Sequence, residues 1–388
     1  MELKGNWNYP TSIRFGAGRI RELPDACRSL GMKRPLLVTD AMLVKLPMVG
    51  QVAELCSKAG LPCDVFSDVQ ANPVADNVSA GVTAYRAGGH DGVIAFGGGS
   101  ALDAAKAIAL MVGQKRPLWD FEDREDWYTR VDVSGMAPVV AVPTTAGTGS
   151  EVGRASVITD LTDHTKKIIF HPKMLPAIVV EDPELTIGLP AHVTAATGMD
   201  ALSHCLEAWC SPFYHPMAEG IAAEGMRLVK QWLPTAVHQG SSVEARSHML
   251  VASSMGATAF QKGLGAMHSL SHPCGANLNT QHGLTNAVVM PYVLAWNRRA
   301  IEEKMQRLAA YLGLQVQSFD GFLDWVLALR ADIGIPNTLA DIGVREEHAA
   351  AFAPQALADP STGGNPLPMT EDDFRVLYLN CIRGALAR

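Results

Sequence analysis

Four short apolar runs separated by helical patterns constrain the fold of this chain more than any other feature of its sequence. They are Pro35-Leu36-Leu37-Val38-Thr39-Asp40, Gly92-Val93-Ile94-Ala95-Phe96, Pro138-Val139-Val140-Ala141-Val142-Pro143 and Ala177-Ile178-Val179-Val180-Glu181-Asp182-Pro183. Each reads as a strand buried on both faces, and segments such as 101–112 between them read as helices. That alternation predicts a parallel α/β sheet covered on both sides. After about residue 185 the texture changes. Stretches rich in Ala, Leu and Met recur at helical spacing over 194–209, 217–233, 243–260 and 301–312, with few β-branched runs. Pro183, Gly188 and Pro190 punctuate the change. The expectation is an α/β N-terminal domain over 1–186 and an all-α C-terminal domain over 187–388.

A chain of 388 residues, 48% hydrophobic and 18% charged, is long enough for two cores and too apolar for disorder. Its net charge of −7 gives no electrostatic footprint for nucleic acid. Seven cysteines without a CxxC pair read as buried thiols of a reducing compartment. Met1-Glu2-Leu3-Lys4-Gly5-Asn6-Trp7 has no apolar signal core, and no run is long enough to span a bilayer, so a cytoplasmic protein is expected. The charged stretch 120–126 reads as a solvated loop.

Two polar loops follow predicted strands. In Gly97-Gly98-Gly99-Ser100 the glycines let backbone approach a pyrophosphate, and the helix behind them offers unpaired N–H groups. Ser100 adds a hydroxyl, and Asp103 and Lys106 lie on the next turns. Pro143-Thr144-Thr145-Ala146-Gly147-Thr148-Gly149-Ser150-Glu151 concentrates hydroxyls and small residues where a ribose or nicotinamide could lie. Such a loop also caps its own helix in many proteins. Asp40 ends the first run, where a carboxylate can accept from ribose hydroxyls and repel a 2′-phosphate. It precedes the glycine loop, whereas the usual Rossmann fingerprint places the acid after it.

The second half carries a set of metal-ligand type. Asp200 and His204 are four residues apart in a helical pattern and share one face. His268 and His272 repeat that spacing, and His282 precedes Gly283. One carboxylate with three imidazoles and no thiolate suits Fe(II), Zn(II) or a similar ion, not a structural zinc finger. Spacing alone does not separate His268 from His272. Pro273 predicts that the helix ends or bends just after His272.

These segments occur together, in order, over roughly residues 10 to 385: Gly97 to Lys106, Pro143 to Glu151, Gly198-Met199-Asp200-Ala201-Leu202-Ser203-His204, then Gly265 to His272 and His282-Gly283. In that combination the chain resembles the iron-containing (group III) alcohol dehydrogenases. The resemblance implies a dehydroquinate-synthase-like architecture, with a dinucleotide-binding domain, a helical domain and a metal in the cleft between them. It implies Fe(II), with Zn(II) possible, and NAD, acting on a small alcohol or aldehyde in a homodimer or larger homo-oligomer. Asp200, His204, His268 and His282 match the metal ligands, and His272 a histidine beside nicotinamide and substrate. Asp40, Asn72, Gly98, Gly99, Ser100, Asp103, Thr144, Thr145 and Lys166 match cofactor contacts, with Lys167 the rival to Lys166. Ala155 stands where relatives often carry a polar side chain, and 260–265 is one residue shorter than in some of them.

Phe260, Leu264, Met267, Leu270 and Cys274 predict an apolar pocket near the metal motifs, favouring simple primary alcohols over ω-carboxylated ones. Lys262 is read as a solvated loop lysine, with pairing to a substrate carboxylate as its alternative. A hydroxy-acid or polyol dehydrogenase on the same fold is the nearer rival. A metal-dependent hydrolase is the remote one, having no use for two nucleotide loops.

Overall fold

The computed structural model describes Tyr9 and residues 11–387; the 1–7 stretch read above for a signal core lies outside them. Contact within the chain divides it into two compact units. One holds Tyr9–Thr145 and Gly149–Ile187, the other the chain from Gly188 onward together with Ala146–Thr148.

In the first unit, six strands form one parallel sheet: β1 (Ser12–Phe15), β2 (Leu36–Val38), β3 (Asp64–Phe66), β4 (Val93–Gly97), β5 (Val139–Pro143) and β8 (Ile178–Glu181). Their order is β1-β8-β5-β4-β2-β3, and every pairing is parallel. Helices α1 (Leu23–Ser29), α2 (Pro47–Lys58), α3 (Ala75–Ala87) and α4 (Gly99–Met111) connect them. Alternate residues Leu37, Ile94, Phe96, Val140, Val142 and Val180 pack with Leu23, Cys27, Val49 and Val52 of α1 and α2. The opposite face receives α4, whose residues Ala101 to Leu110 are all buried. Burial on both faces is why β2, β4 and β5 are continuous apolar runs.

An antiparallel hairpin, β6 (Ala155–Asp160) and β7 (Thr165–Phe170), stands outside that sheet. The α/β alternation did not anticipate it.

The second unit has no strand among its described residues. Its helices are α5 (Ala191–Cys210), α6 (Pro216–His238), α7 (Val243–Ala259), α8 (Ala266–Leu278), α9 (His282–Tyr311), α10 (Phe319–Asp332), α11 (Glu346–Ala358) and α12 (Glu371–Arg383). A single apolar cluster runs through all of them. The fold is thus the expected α/β half and helical half. Pro273 does not end its helix, because α8 continues to Leu278 and buries Pro273. The ring removes one backbone donor, and the packed helix tolerates it. Six of the seven cysteines are buried thiols and Cys63 is half-buried, with all seven free. No described helix is long and apolar enough to cross a membrane.

Candidate metal centre and nucleotide loops

Helix α5 carries Asp200, His204 and Glu207 at successive turns of one face. Glycine sets how closely its neighbours approach. A Cβ at Gly283 on α9 would lie 2.4 Å from the Ala196 carbonyl and 2.9 Å from Asp200 Cβ. A Cβ at Gly256 on α7 would lie 3.0 Å from His204 Cβ. Small residues at these crossings bring His282 and His204 into one space.

Donor atoms of Asp200, His204, His268 and His282 all lie within 4.8 Å of one another. Asp200 Oδ1 is 3.7 Å from His282 Nε2 and 3.9 Å from His204 Nε2. Two donors each about 2.1 Å from one ion are separated by about 3.4 Å in tetrahedral geometry, so these two pairs need only a small contraction. The rings of His204 and His268 stack at 4.9 Å, which disfavours two imidazolium charges. Burial pushes the His204 pKa down to about 4, against the pull of Asp200. Its lone pair is therefore available at neutral pH. The donor set fits a divalent ion of the Fe(II) or Zn(II) kind.

Glu207 was not singled out in the sequence. Its Oε2 is 2.6 Å from His268 Nδ1, and its Oε1 accepts the Met267 N–H at 2.7 Å. Burial acts to lower the His268 pKa, but the Glu207 charge and hydrogen bond outweigh it and the net shift is upward. With a proton held on Nδ1, His268 turns Nε2 towards the other donors. Asn286 is a second omission, one turn past His282, with Nδ2 2.9 Å from Asp200 Oδ1.

His272 lies outside the convergent set. Its Nδ1 is 2.6 Å from Asp359 Oδ2, and its ring stacks on His282 at 5.3 Å. Asp359 also accepts from the Ser361 N–H at 2.8 Å. Burial raises the Asp359 carboxyl, yet His272 and Ser361 more than offset this and hold it at about 2. Asp359 lies 87 residues downstream of His272, so no local pattern could have revealed the pair.

Lys262 corrects an expectation. It is 2% exposed, and its Nζ donates to Glu219 Oε1 at 2.7 Å and to the Trp209 carbonyl at 3.3 Å. It is a buried pin on the C-terminal end of α5 and not a solvated lysine. Burial lowers its pKa to about 8. The supposed apolar pocket is also mostly core: Met267, Leu270 and Cys274 are sealed in the helical cluster. Phe260 alone of the five stands edge-on to a candidate ligand, with its ring 5.1 Å from His204.

In the α/β unit, adjacent strands β2, β4 and β5 present their carboxyl ends together. Asp40 follows β2, and its Oδ1 accepts the N–H groups of Met42 and Leu43 at 2.9 and 2.8 Å. Gly97 has φ +145°, and a Cβ there would meet Ala101 at 2.8 Å. Gly98 is the N-cap of α4 and supplies no side-chain cap, so first-turn N–H groups of Gly99 and Ser100 face outward for an anion. The Thr144 N–H donates to the Gly97 carbonyl at 3.0 Å, and a Cβ on Gly98 would lie 3.3 Å from Thr145. The structure thus gathers Asp40, Gly98, Gly99, Ser100, Thr144 and Thr145.

Asp103 has other partners. It accepts from Ser150 Oγ and from the Val157 N–H at 3.0 Å. Lys106, fully buried with its pKa lowered by burial, donates to the carbonyls of Ser150 and Ala155. The pair pins the second polar loop to α4. On the hairpin, Lys167 is committed to Asp160, and to Asp163 at 3.1 Å. Lys166 points to the other face, opposite Thr159. The Thr159 N–H donates to the Pro73 carbonyl at 2.8 Å, next to Asn72.

Comparison with known proteins shows the family. Residues 10–183 match the iron-containing alcohol dehydrogenase family, and residues 194–382 match its C-terminal domain. The chain belongs to the iron-containing alcohol dehydrogenase family. Among members of this family, it is 38% identical to 4-hydroxybutyrate dehydrogenase of Cupriavidus necator, over 95% of this chain and 97% of that one. It is 35% identical to NAD-dependent methanol dehydrogenase of Bacillus methanolicus, over 97% and 100%. Its fold is similar to a solved 1,3-propanediol oxidoreductase, with TM-score 0.92, 33% identity and coverage of 97% and 99%. As a member of this family the chain is an oxidoreductase.

Proposed function

We propose that this protein is a metal-dependent dehydrogenase that interconverts short primary alcohols and aldehydes with NAD(H). The observation that carries the reading is the convergence of Asp200, His204, His268 and His282 within 4.8 Å. In this reading those four residues hold Fe(II), or Zn(II). The α/β domain, 1–186, binds the dinucleotide and the helical domain, 187–388, binds the metal.

A bound divalent ion supplies Lewis acidity, which eases loss of a hydroxyl proton and polarises a carbonyl, and a nicotinamide supplies the hydride acceptor or donor. The chain's own residues arrange both. Glu207 holds the proton on His268 Nδ1. The N–H groups of Gly99 and Ser100 bind the pyrophosphate beside Gly98, while Asp40 accepts from ribose hydroxyls. Thr144, Thr145, Asn72 and Lys166 line the cofactor, and Asp103 acts through the loop it pins. His272, with Nδ1 held by Asp359, leaves Nε2 for proton exchange near the substrate. We further propose a cytoplasmic homodimer.

The relatives named above act on 4-hydroxybutyrate, methanol and 1,3-propanediol, which share a short chain and a terminal hydroxyl. The first of these favours a second reading, a hydroxy-acid dehydrogenase. Lys262, the cation considered for a substrate carboxylate, is instead paired with Glu219, so the simple alcohol is preferred.

The test is metal analysis of anaerobically purified protein alongside an aldehyde screen with NADH. Close to one divalent ion per chain and aldehyde-dependent NADH oxidation, with propanal or butanal ahead of succinate semialdehyde, are expected. Activity undiminished after complete metal removal counts against the metal, and a strong advantage for the semialdehyde selects the hydroxy-acid reading.

A further inference from the structure

Asn286 is fully buried on α9, one turn after His282. Its Nδ2 lies 2.9 Å from Asp200 Oδ1, 3.2 Å from His282 Nε2 and 3.3 Å from His268 Nε2. Three of the four convergent donors thus surround one amide nitrogen. Its Oδ1 has no hydrogen-bond partner among the described residues. Packing alone does not account for such a group, since a buried amide with an unpartnered carbonyl carries a desolvation cost. Helix capping does not explain it either, because Gln281 caps α9.

The lone-pair count separates the three contacts. An imidazole Nε2 has one lone pair, which either accepts an N–H or binds an ion. A carboxylate oxygen has two, so Asp200 Oδ1 can keep the Asn286 N–H and still face an ion. The bond to Asp200 is the shortest of the three and is charge-assisted. It is the one compatible with an occupied centre.

We propose that Asn286 is a positioning residue of the metal centre, fixing the rotation of the Asp200 carboxylate through its Nδ2–H. This rests on the reading of the four residues as metal ligands. Partners that orient metal ligands typically carry 10- to 100-fold in affinity.

Co(II) is the probe, because its visible absorption reports ligand geometry while competition with a chelating dye gives its dissociation constant. Metal-stripped wild type, Asn286→Ala and the volume-matched Asn286→Leu are compared, with thermal melts to establish folding. Both variants are expected to bind Co(II) roughly 10- to 100-fold more weakly, with shifted visible bands. Folded variants that bind within about twofold of wild type, with unchanged bands, overturn the inference. A variant that melts early yet shows the wild-type spectrum and affinity when folded marks Asn286 as merely structural and overturns it too. Wild-type protein that takes up no Co(II) overturns the metal reading itself, and this inference with it.

Discussion

Glu207 and His268 meet at 2.6 Å between α5 and α8, carboxylate oxygen to Nδ1, with the second carboxylate oxygen taken by the Met267 N–H. The contact chooses the tautomer that leaves His268 Nε2 unprotonated. Glu207→Ala removes that choice and is expected to weaken metal binding about 10- to 100-fold. Retention of metal during dialysis against a chelator measures this. Retention equal to wild type would show that His268 needs no partner.

The histidines divide into two groups. His268→Ala or His282→Ala is expected to abolish both stoichiometric metal and turnover, whereas His272→Ala keeps the metal and loses turnover. Metal content of the three purified variants decides. A metal-free His272→Ala protein would exchange the assigned roles.

Asp40 governs cofactor choice in the proposed function. A carboxylate beside a 2′-phosphate in a partly desolvated site repels it with little screening. Wild type is expected to prefer NADH, and Asp40→Gly to narrow the preference mainly by improving kcat/KM for NADPH. Equal use of both cofactors by wild type would remove Asp40 from the ribose.

Lys262 predicts an alkaline signature. Its folded-state pKa is about 8, below the unfolded value of about 10.4. Below pH 8 both states carry the proton, and the folded state bears the full cost of a buried charge. Between those two values the unfolded state holds more protons, so this group's contribution to stability rises with pH. The unfolding free energy of wild type relative to Lys262→Met is expected to increase by roughly 2 to 3 kcal/mol from pH 7.5 to 10. Urea unfolding at both pH values measures it. A constant difference would mean that burial does not depress the Lys262 ammonium, its cost being offset by Glu219.

The strands missed in the sequence show what limits such a reading. Runs covering β2, β4, β5 and β8 are apolar because helices cover both sides of the sheet. The two strands passed over in that sheet, β1 and β3, are its two edges. Ser12–Phe15 is exposed at both ends and only half-buried at Ile13 and Arg14, and Asp64–Phe66 is largely exposed. Neither position requires an apolar run. The β6–β7 hairpin carries Lys166 and Lys167 for similar reasons. Within the centre, Asp200 and His204 were legible through their shared helix face. Glu207 continues that face at seven residues, but carboxylates on helices are too common to signal alone. Asn286 and Asp359 became recognisable only once α9 and the Pro360–Gly364 turn were placed in space.

Gly283 bears on how the centre comes into being during synthesis. Its missing Cβ allows α9 to touch α5 at the Ala196 carbonyl, so the distance between the Asp200 and His282 halves is set by a contact between helices far apart in sequence. A growing chain that has completed α5 already possesses Asp200 and His204, but two donors on one helix make a weak chelate. With the four residues as ligands, as proposed, tight capture of an ion waits until α8 and α9 have been made and have docked. In the proposed function, ion loading is then coupled to the docking of α8 and α9 onto α5.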